Sequence, residues 1–540
     1  DSLLRADLPR RQKNQLEGRA ESALVYPQVL AAELGIKVNQ KMKGEMGLMK
    51  FTHNFQKNLV GHEIPHIVLV IARGEAVRNF LYSDTLRILS QNARVTLLSV
   101  LYDDDFQRRF APFVEEIVPL REYREGKLLC HLHDIIWHAH YRWLWSEKAK
   151  NKWEILAYQA KTLKAKVQFT LWKGLMRVLA NEPTLKFLTA MYDWLSWKYR
   201  PSDEFDRLFR RLQPDLVFNC SHIHAPMADL PMRVAKRLGI PTATFIFSWD
   251  NLTTRGRITV PYDYYLVWHK RMRDELLSIY PFINPDHVFI TGTPQFDFHF
   301  KPEYWLTKEE LCRRIGADPS RPIVLYTTGM ASDFPEEHRH VELVIRILQQ
   351  VDYHPKPQLV VRTYVKGTSP EMKALAARNI HGVIFPPVLW DEKWYTPQYE
   401  DLAIYTSLLR HCLFGINAAS TVSLELLMHD KPVINIGFDP PGSQLPYCYR
   451  WVRHIEFDHY RPVAQSGAVM VARSPEDMEK MIKRALYEPH ADSEKRRQFI
   501  QTMFGDTLDG RSGERVAMKL LELANKAHRL SREKLPVSAG

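Results

Sequence analysis

The sequence predicts an α/β protein of two successive doubly wound domains, the first interrupted by a tryptophan-rich helical insertion. Three observations predict it. Short continuous apolar runs, beginning with His66-Ile67-Val68-Leu69-Val70-Ile71-Ala72, have the length and composition of parallel strands buried on both faces. Helical stretches alternate with these runs, as in a doubly wound unit. The alternation pauses at a cluster of Pro302, Pro319 and Pro322, then begins afresh. A chain of 540 residues also exceeds what one hydrophobic core normally serves.

Taken in order, residues 1–60 are polar, rich in Lys, Arg and Gln, and read as an N-terminal appendage with one helix around Glu21 to Leu34. The first domain spans 61–310 and opens with the strand at His66, a loop through Asn79, a helix to about Ser90 and a second strand, Arg94 to Leu101. An insertion, 128–205, follows. The pattern then resumes with strands at Asp215–Asn219, Thr242–Phe247, Tyr264–Trp268 and Val288–Thr291, and helices at Met227–Leu238 and Arg271–Ile279. The second domain spans 311–525, with strands expected at Ile323–Thr327, Gln358–Arg362, Gly382–Phe385, Cys412–Ile416 and Pro432–Ile436. Residues 526–540 read as a tail.

Composition narrows the class. Hydrophobic residues at 45% and charged residues at 25% exclude wholesale disorder. The five cysteines are scattered without a C-x-x-C pair, which excludes a disulfide scaffold and a zinc ribbon and suits a reducing, cytoplasmic setting. No apolar run approaches the roughly 18 residues that span a bilayer. A net charge of +12 favours an anionic partner.

Between Trp137 and Arg200, twelve Lys or Arg face four Asp or Glu, and seven of the thirteen tryptophans lie there. Two readings stay open for this stretch. Its aromatics pack on the domain and its lysines are solvated, or its helices lie peripherally on an anionic membrane surface, at the inner face of the cell membrane. No nucleic-acid module accompanies the charge, so nucleic acid is not an expected partner.

The strongest local signal is Gly415-Ile416-Asn417-Ala418-Ala419-Ser420-Thr421-Val422-Ser423-Leu424-Glu425. A strand leads into small residues and then a helix start, where unpaired N–H groups attract phosphate oxygens. Glu425, one turn after Thr421, could accept hydrogen bonds from a ribose diol while Ser420 and Thr421 meet a diphosphate. The same pattern also fits an ordinary helix cap with an acidic first turn.

The stretch from Ser420 to Glu425, continued by His429-Asp430-Lys431-Pro432-Val433-Ile434, resembles the donor-site segment of GT-B glycosyltransferases, and the related segment of polymer glycerophosphotransferases and sugar-nucleotide 2-epimerases. In the first half, Phe247-Ser248-Trp249-Asp250-Asn251, Leu266-Val267-Trp268-His269-Lys270 and Ile290-Thr291-Gly292-Thr293-Pro294-Gln295-Phe296-Asp297 resemble closing elements of the first domain in bacterial surface-polysaccharide enzymes of this kind. The resemblance covers roughly 65–520. It implies two Rossmann-like domains, a nucleotide-binding second domain and an acceptor site on the first.

That fold makes Thr328 and Gly329, ending a strand at the cleft, candidates for holding a phosphate through backbone N–H groups. Arg362 and Lys366 resemble the arginine-bearing loop of glycerophosphotransferases, although Tyr364-Val365 replaces the usual His-Pro. A cation there would stabilise charge on a leaving diphosphate; a surface arginine in a strand–helix loop is the alternative. For the base that takes the acceptor's proton, Glu75 is one candidate, since a Gly-Glu pair has this role in Kdo-type transferases. Asp250 is its rival, with His222 and His224 behind it. Asp103-Asp104-Asp105 contains the Asp-x-Asp of metal-binding GT-A enzymes but arrives too early in the chain, and it reads as a helix cap with first-turn acids. No metal or cofactor is expected; a nucleotide-sugar serves as co-substrate. The resulting expectation is a metal-independent glycosyltransferase acting on a cell-surface saccharide or lipid-linked acceptor in polysaccharide biosynthesis. A glycerol-phosphate or polyol-phosphate transferase and a catalytically silent membrane-associated adaptor are the alternatives.

Overall fold

Buried apolar strands set the architecture of the computed structural model, which describes residues 64–533 except 124, 223–225 and 392. These residues belong to one unit beginning at Glu63, and the expected appendage 1–60 with its helix lies outside them.

The first sheet comprises β1 (His66–Ile71), β2 (Arg94–Ser99), β3 (Glu116–Pro119), β4 (Leu216–His222), β5 (Thr242–Ile246), β6 (Tyr264–Val267) and β7 (Val288–Ile290). They pair in the order β3-β2-β1-β4-β5-β6-β7, all parallel. β1 is central, with Ile67 opposite Val95 on one side and Leu216 on the other, and none of its six residues is more than 1% exposed. Burial on both faces explains its unbroken apolar sequence. The chain leaves β1 towards β2 and β3 and returns to β4 on the opposite side, which opens a crevice at the C-terminal ends of β1 and β4.

The second sheet repeats the plan. β8 (Ile323–Thr327), β9 (Gln358–Arg362), β10 (Val383–Ile384), a small antiparallel hairpin of β11 (Trp390–Asp391) and β12 (Thr396–Pro397), β13 (Cys412–Asn417), β14 (Val433–Ile436) and β15 (Met470–Ala472) follow in sequence. The sheet order is β10-β9-β8-β13-β14-β15, again parallel, with its reversal between β8 and β13. The two doubly wound domains of the sequence reading are thus present. β3, β15 and the β11–β12 hairpin are not among the strands expected from the sequence: β3 is a half-buried edge strand beginning with Glu116, β15 has only three residues, and β11 and β12 have two each.

The insertion consists of four helices, Lys127–Leu144, Glu147–Gln159, Leu163–Leu179 and Glu182–Tyr199. Several of its tryptophans turn inward. Trp153 is buried beside Phe169, and Gly256 passes so close to Trp137 that a Cβ would lie 2.1 Å from the indole nitrogen. The helix Glu147–Gln159 reaches the second domain: Glu147 N donates to Asp458 Oδ2 (2.6 Å), Asn151 Nδ2 to the Cys448 carbonyl (2.7 Å), and Arg453 Nη2 to Glu154 Oε2 (3.0 Å).

Residues 526–533, expected as part of a tail, belong instead to the helix Ser512–Glu533, which returns to the first domain. Asp297 accepts hydrogen bonds from the backbone N–H groups of Ser512 (3.0 Å) and Gly513 (2.7 Å), so a first-domain carboxylate caps this helix. Farther along, His528 Nδ1 lies 3.1 Å from Asp215 Oδ2. Asp103 caps the helix Asp104–Phe110 by accepting from Phe106 N at 2.9 Å, with Asp104 and Asp105 in its first turn.

Candidate functional site

Residues that follow strands of one sheet meet residues that follow strands of the other, so the two C-terminal edges face each other across a cleft. Past β1, Gly74 N donates to the Trp394 carbonyl at 2.9 Å, in the turn between β11 and β12. A Cβ at Gly74 would lie 2.0 Å from Thr396 Oγ1, so only glycine permits this approach. The neighbouring Glu75 is 4% exposed; Arg73 grips it with two hydrogen bonds of 3.0 Å, and Lys366 from the second domain donates to the same carboxylate. Two expected site residues, Glu75 and Lys366, are therefore brought together from opposite domains.

The loop after β13 is held rigidly. Asn417 Oδ1 accepts from Ser420 Oγ (3.3 Å), Ser423 Oγ (2.9 Å) and Asn435 Nδ2 (3.0 Å), and Tyr460 braces Ser423 and Asn435 in turn. Ser420 precedes the helix Thr421–Met428. Across the cleft, Trp249 Nε1 donates to Thr421 Oγ1 at 3.0 Å. One turn on, Glu425 is 7% exposed, accepts from Tyr405 Oη at 2.6 Å, and lies 3.1 Å from Nε2 of the first-domain His299. Behind His299, burial pulls the His429 imidazole down to about 2 and keeps it neutral. Both Glu425 oxygens thus have protein partners, one from each domain.

Thr328 Oγ1 accepts from Tyr364 N at 2.9 Å, linking the loops after β8 and β9. Gly329 N, expected to face a phosphate, instead lies 3.0 and 3.2 Å from the two oxygens of Glu337, which also accepts from Tyr326 Oη at 3.2 Å. Its phosphate contact is therefore already occupied by a carboxyl. Burial pushes that carboxyl up from 4.5 to about 8. The folded state then holds a proton that the unfolded chain releases, so stability falls as pH rises between those values, by up to about 1.4 kcal/mol per pH unit. Glu337→Gln is expected to remove this slope, read as melting temperature against pH from 4.5 to 8. Parallel pH curves for the two proteins would show that Glu337 is not held protonated.

Arg362 is not a surface residue. At 8% exposure it donates from Nη2 to buried Asp401 Oδ2 (2.6 Å), and its guanidinium carbon sits 5.0 Å from the Tyr405 ring centre. Its Nη1 has no hydrogen-bond partner among the described residues. Tyr405 thus stands between Arg362 and Glu425.

Of the candidate bases, Asp250 accepts from Ser248 Oγ, from Asn251 Nδ2 (3.4 Å) and from Thr254 Oγ1 (2.8 Å). Burial opposes its ionisation, but His459, Ser248, Arg255 and Thr254 together hold it below the usual carboxylate range. His222 is buried, with Nδ1 2.9 Å from Tyr262 Oη, and burial lowers it to about 3. His224 lies outside the described residues.

The site includes cations that the sequence did not single out. Arg78, in the π-helical turn Val77–Leu81, donates to Gln295 Oε1 at 2.7 Å; burial lowers its pKa, and the nearby charges of Glu425 and Glu75 oppose that shift. Arg255 lies near enough to act on Lys366, Tyr364, Lys148 and Asp250. Burial pulls Lys148, in the first turn of the helix Glu147–Gln159, down to about 8. None of Arg78, Lys148 and Arg255 forms an ion pair with a described carboxylate. Among the described residues, no group of three or more His, Cys, Asp or Glu is placed to hold a metal ion.

Two Rossmann-like domains facing across a cleft make this a two-domain α/β protein of GT-B type, the class the sequence resembles. No protein-family model matches the chain, and a comparison with curated protein sequences returns no relative. Among solved structures, a UDP-N-acetylglucosamine 2-epimerase aligns with a TM-score of 0.47 and 13% identity, over 88% of this chain and 99% of its own. The UDP-GlcNAc 2-epimerase from Neisseria meningitidis bound to UDP-GlcNAc gives 0.46 and 10%, over 85% and 100%. A glycosyltransferase from Rickettsia africae ESF-5 gives 0.45 and 10%, over 86% and 98%. Likenesses of this strength assign neither ligand nor reaction, and the fold stands on the two sheets themselves.

Proposed function

We propose that the protein is a glycosyltransferase that moves a sugar from a nucleotide-activated donor to a cell-surface saccharide or lipid-linked acceptor. The observation that carries this reading is the convergence, between two strand-end edges, of the acid Glu425 with cations that have no carboxylate of their own. Such a cleft has surplus positive charge where a diphosphate would sit and an acid where a ribose diol would sit.

In this reading the donor nucleotide lies on the second domain, its ribose on Glu425 and its diphosphate near Ser420, Thr421 and the buried, unpartnered Nη1 of Arg362. Arg78 reaches towards the same diphosphate from the first domain. Lys366, which pairs with Glu75 in the structure, shifts to the incoming diphosphate and frees Glu75. Glu75 then takes the proton of the acceptor hydroxyl as that oxygen attacks the anomeric carbon. The bond from the anomeric carbon to the diphosphate breaks, and the cations hold the departing charge. Asp250 is a poor proton acceptor because Ser248, Thr254 and Arg255 already stabilise its anion; its role is to fix the Ser248–Thr254 turn that presents Trp249 to Thr421. Donor binding and release of the base are thereby coupled.

Transfer is expected to survive EDTA, because cationic side chains supply the leaving-group charge. Complete loss on chelation, restored by Mn²⁺, would instead require a metal site. A panel of UDP-, GDP-, dTDP-, CMP- and CDP-linked compounds tests the reading itself. Turnover of a nucleotide-sugar supports it. Turnover of CDP-glycerol alone would reassign the moved group to a polyol phosphate, and epimerisation without transfer would contradict it.

A further inference from the structure

We infer that the insertion helix Leu163–Leu179 is a docking surface for an anionic lipid bilayer. This goes beyond the sugar-transfer reading and stands independently of it. The helix has two apolar faces. One is turned inward, where Met176 is buried and Phe169, Trp172 and Leu179 pack with Trp153 and Leu185 of neighbouring insertion helices. The other is open: Leu163 is 80% exposed, Val167 52%, Leu171 69%, Leu175 46% and Val178 72%. Their spacing of four, four, four and three residues puts them in one continuous stripe. A domain-covering helix needs only the inward face, so packing among the described residues does not account for the second stripe.

Charge selects the occupant. The helix carries Lys164, Lys166, Lys173 and Arg177 and no acidic residue. Lys166, Lys173 and Arg177 are exposed and fall on one flank of the apolar stripe, and none of the four pairs with a described carboxylate. An apolar stripe with unneutralised cations beside it matches the boundary of an anionic leaflet, where methylene groups enter the acyl region and ammonium groups stay among headgroups. At about 25 Å, the helix is long enough to lie along that boundary. The next helix adds Phe187 and Trp194, both exposed and seven residues apart on one face, with Lys198 5.5 Å from the Trp194 ring centre. Among the described residues no helix is long and apolar enough to cross a membrane, so this contact is peripheral.

Position gives the contact a consequence. Only Ala160–Thr162 separate the helix from Glu147–Gln159, whose residues hold the second domain and bring Lys148 to the cleft. A bilayer seated on the stripe would therefore lie next to the element that spans the two domains, where a lipid-linked acceptor would be presented.

The test is co-sedimentation of the full chain with vesicles of neutral phosphatidylcholine, with and without 30% phosphatidylserine. Partition is expected to favour the anionic vesicles and to fall as salt shortens the Debye length. Replacing Lys164, Lys166, Lys173 and Arg177 by Gln should lower anionic-vesicle partition at least about 30-fold, against the roughly 600-fold that four independent fivefold contributions would give. Leu171→Glu with Val178→Glu should lower it at least about tenfold while leaving the melting temperature nearly unchanged, because both side chains are already in water. Glu425→Gln should leave partition unchanged, which keeps this test separate from that of the transfer reading. Failure to partition, or partition insensitive to both sets of changes, would overturn the inference. So would light scattering that gives a dimer converted to monomer by Leu171→Glu, since a second copy would then cover the stripe.

Discussion

Glu75→Gln is expected to lower the rate of sugar transfer by about 10³-fold while nucleotide affinity holds or rises, because Lys366 no longer has to leave a carboxylate. General-base contributions fall in the range of roughly 10²–10⁴, and the amide keeps the shape and most hydrogen bonds of the carboxylate while losing its proton affinity. The substitution is mild for the fold, because Arg73 Nη2 and Lys366 both donate to Oε1, an acceptor that the amide oxygen retains. Rates under single-turnover conditions, with nucleotide affinity measured by calorimetry, separate the two quantities. A rate within tenfold of the parent would remove Glu75 as the base. If Asp250→Asn, and not Glu75→Gln, stopped transfer without unfolding the protein, the base would be Asp250 despite its low pKa.

The second large effect belongs to Glu425. Replacement by Gln is expected to weaken nucleotide binding by about 30- to 100-fold, because a hydrogen bond to a charged group contributes roughly 1.5–3 kcal/mol and a diol can offer two. Gln is the informative substitution. Ala would also strip the Tyr405 hydroxyl and His299 of their shared acceptor, leaving buried polar groups unpaired and lowering stability for reasons unrelated to the ligand. The corresponding 2′-deoxynucleotide should bind the parent protein weakly and Glu425→Gln almost equally weakly. Full-strength binding of nucleotide to Glu425→Gln would take the ribose off this residue.

What the sequence made legible depended on distance along the chain. Strands buried on both faces announce themselves as apolar runs, so β1, β8 and β13 were readable, whereas the edge strand β3 mixes Glu116 and Pro119 into four residues and was not. The helix start at Ser420 and the cap at Asp103 are local patterns and were visible as such. The partners of these residues were not. Nothing near Gly329 shows that Glu337, eight residues later, folds back onto its N–H, or that Arg362 is committed to Asp401 thirty-nine residues away. The return of the final helix rests on Asp297 meeting Ser512 and Gly513 across more than two hundred residues, so its last turns looked like a tail. Arg78 and Arg255 look like ordinary loop arginines until the second domain brings Glu425 and Lys366 beside them. In the insertion, composition drew attention to tryptophan, but several indoles pack inward and the open stripe is aliphatic, a distinction set by helix phase rather than residue content.

The central claim is that a nucleotide-activated sugar occupies the cleft between the two sheets, and the most direct measurement is product analysis of the donor panel with the parent protein and Glu425→Gln. The expected result is that one nucleotide-sugar is consumed, releasing its nucleoside diphosphate and a sugar transferred to acceptor or to water, with the rate at sub-saturating donor falling at least about 30-fold in Glu425→Gln. The contradicting result is that no nucleotide-sugar is bound or consumed by the parent protein, or that consumption proceeds equally in Glu425→Gln.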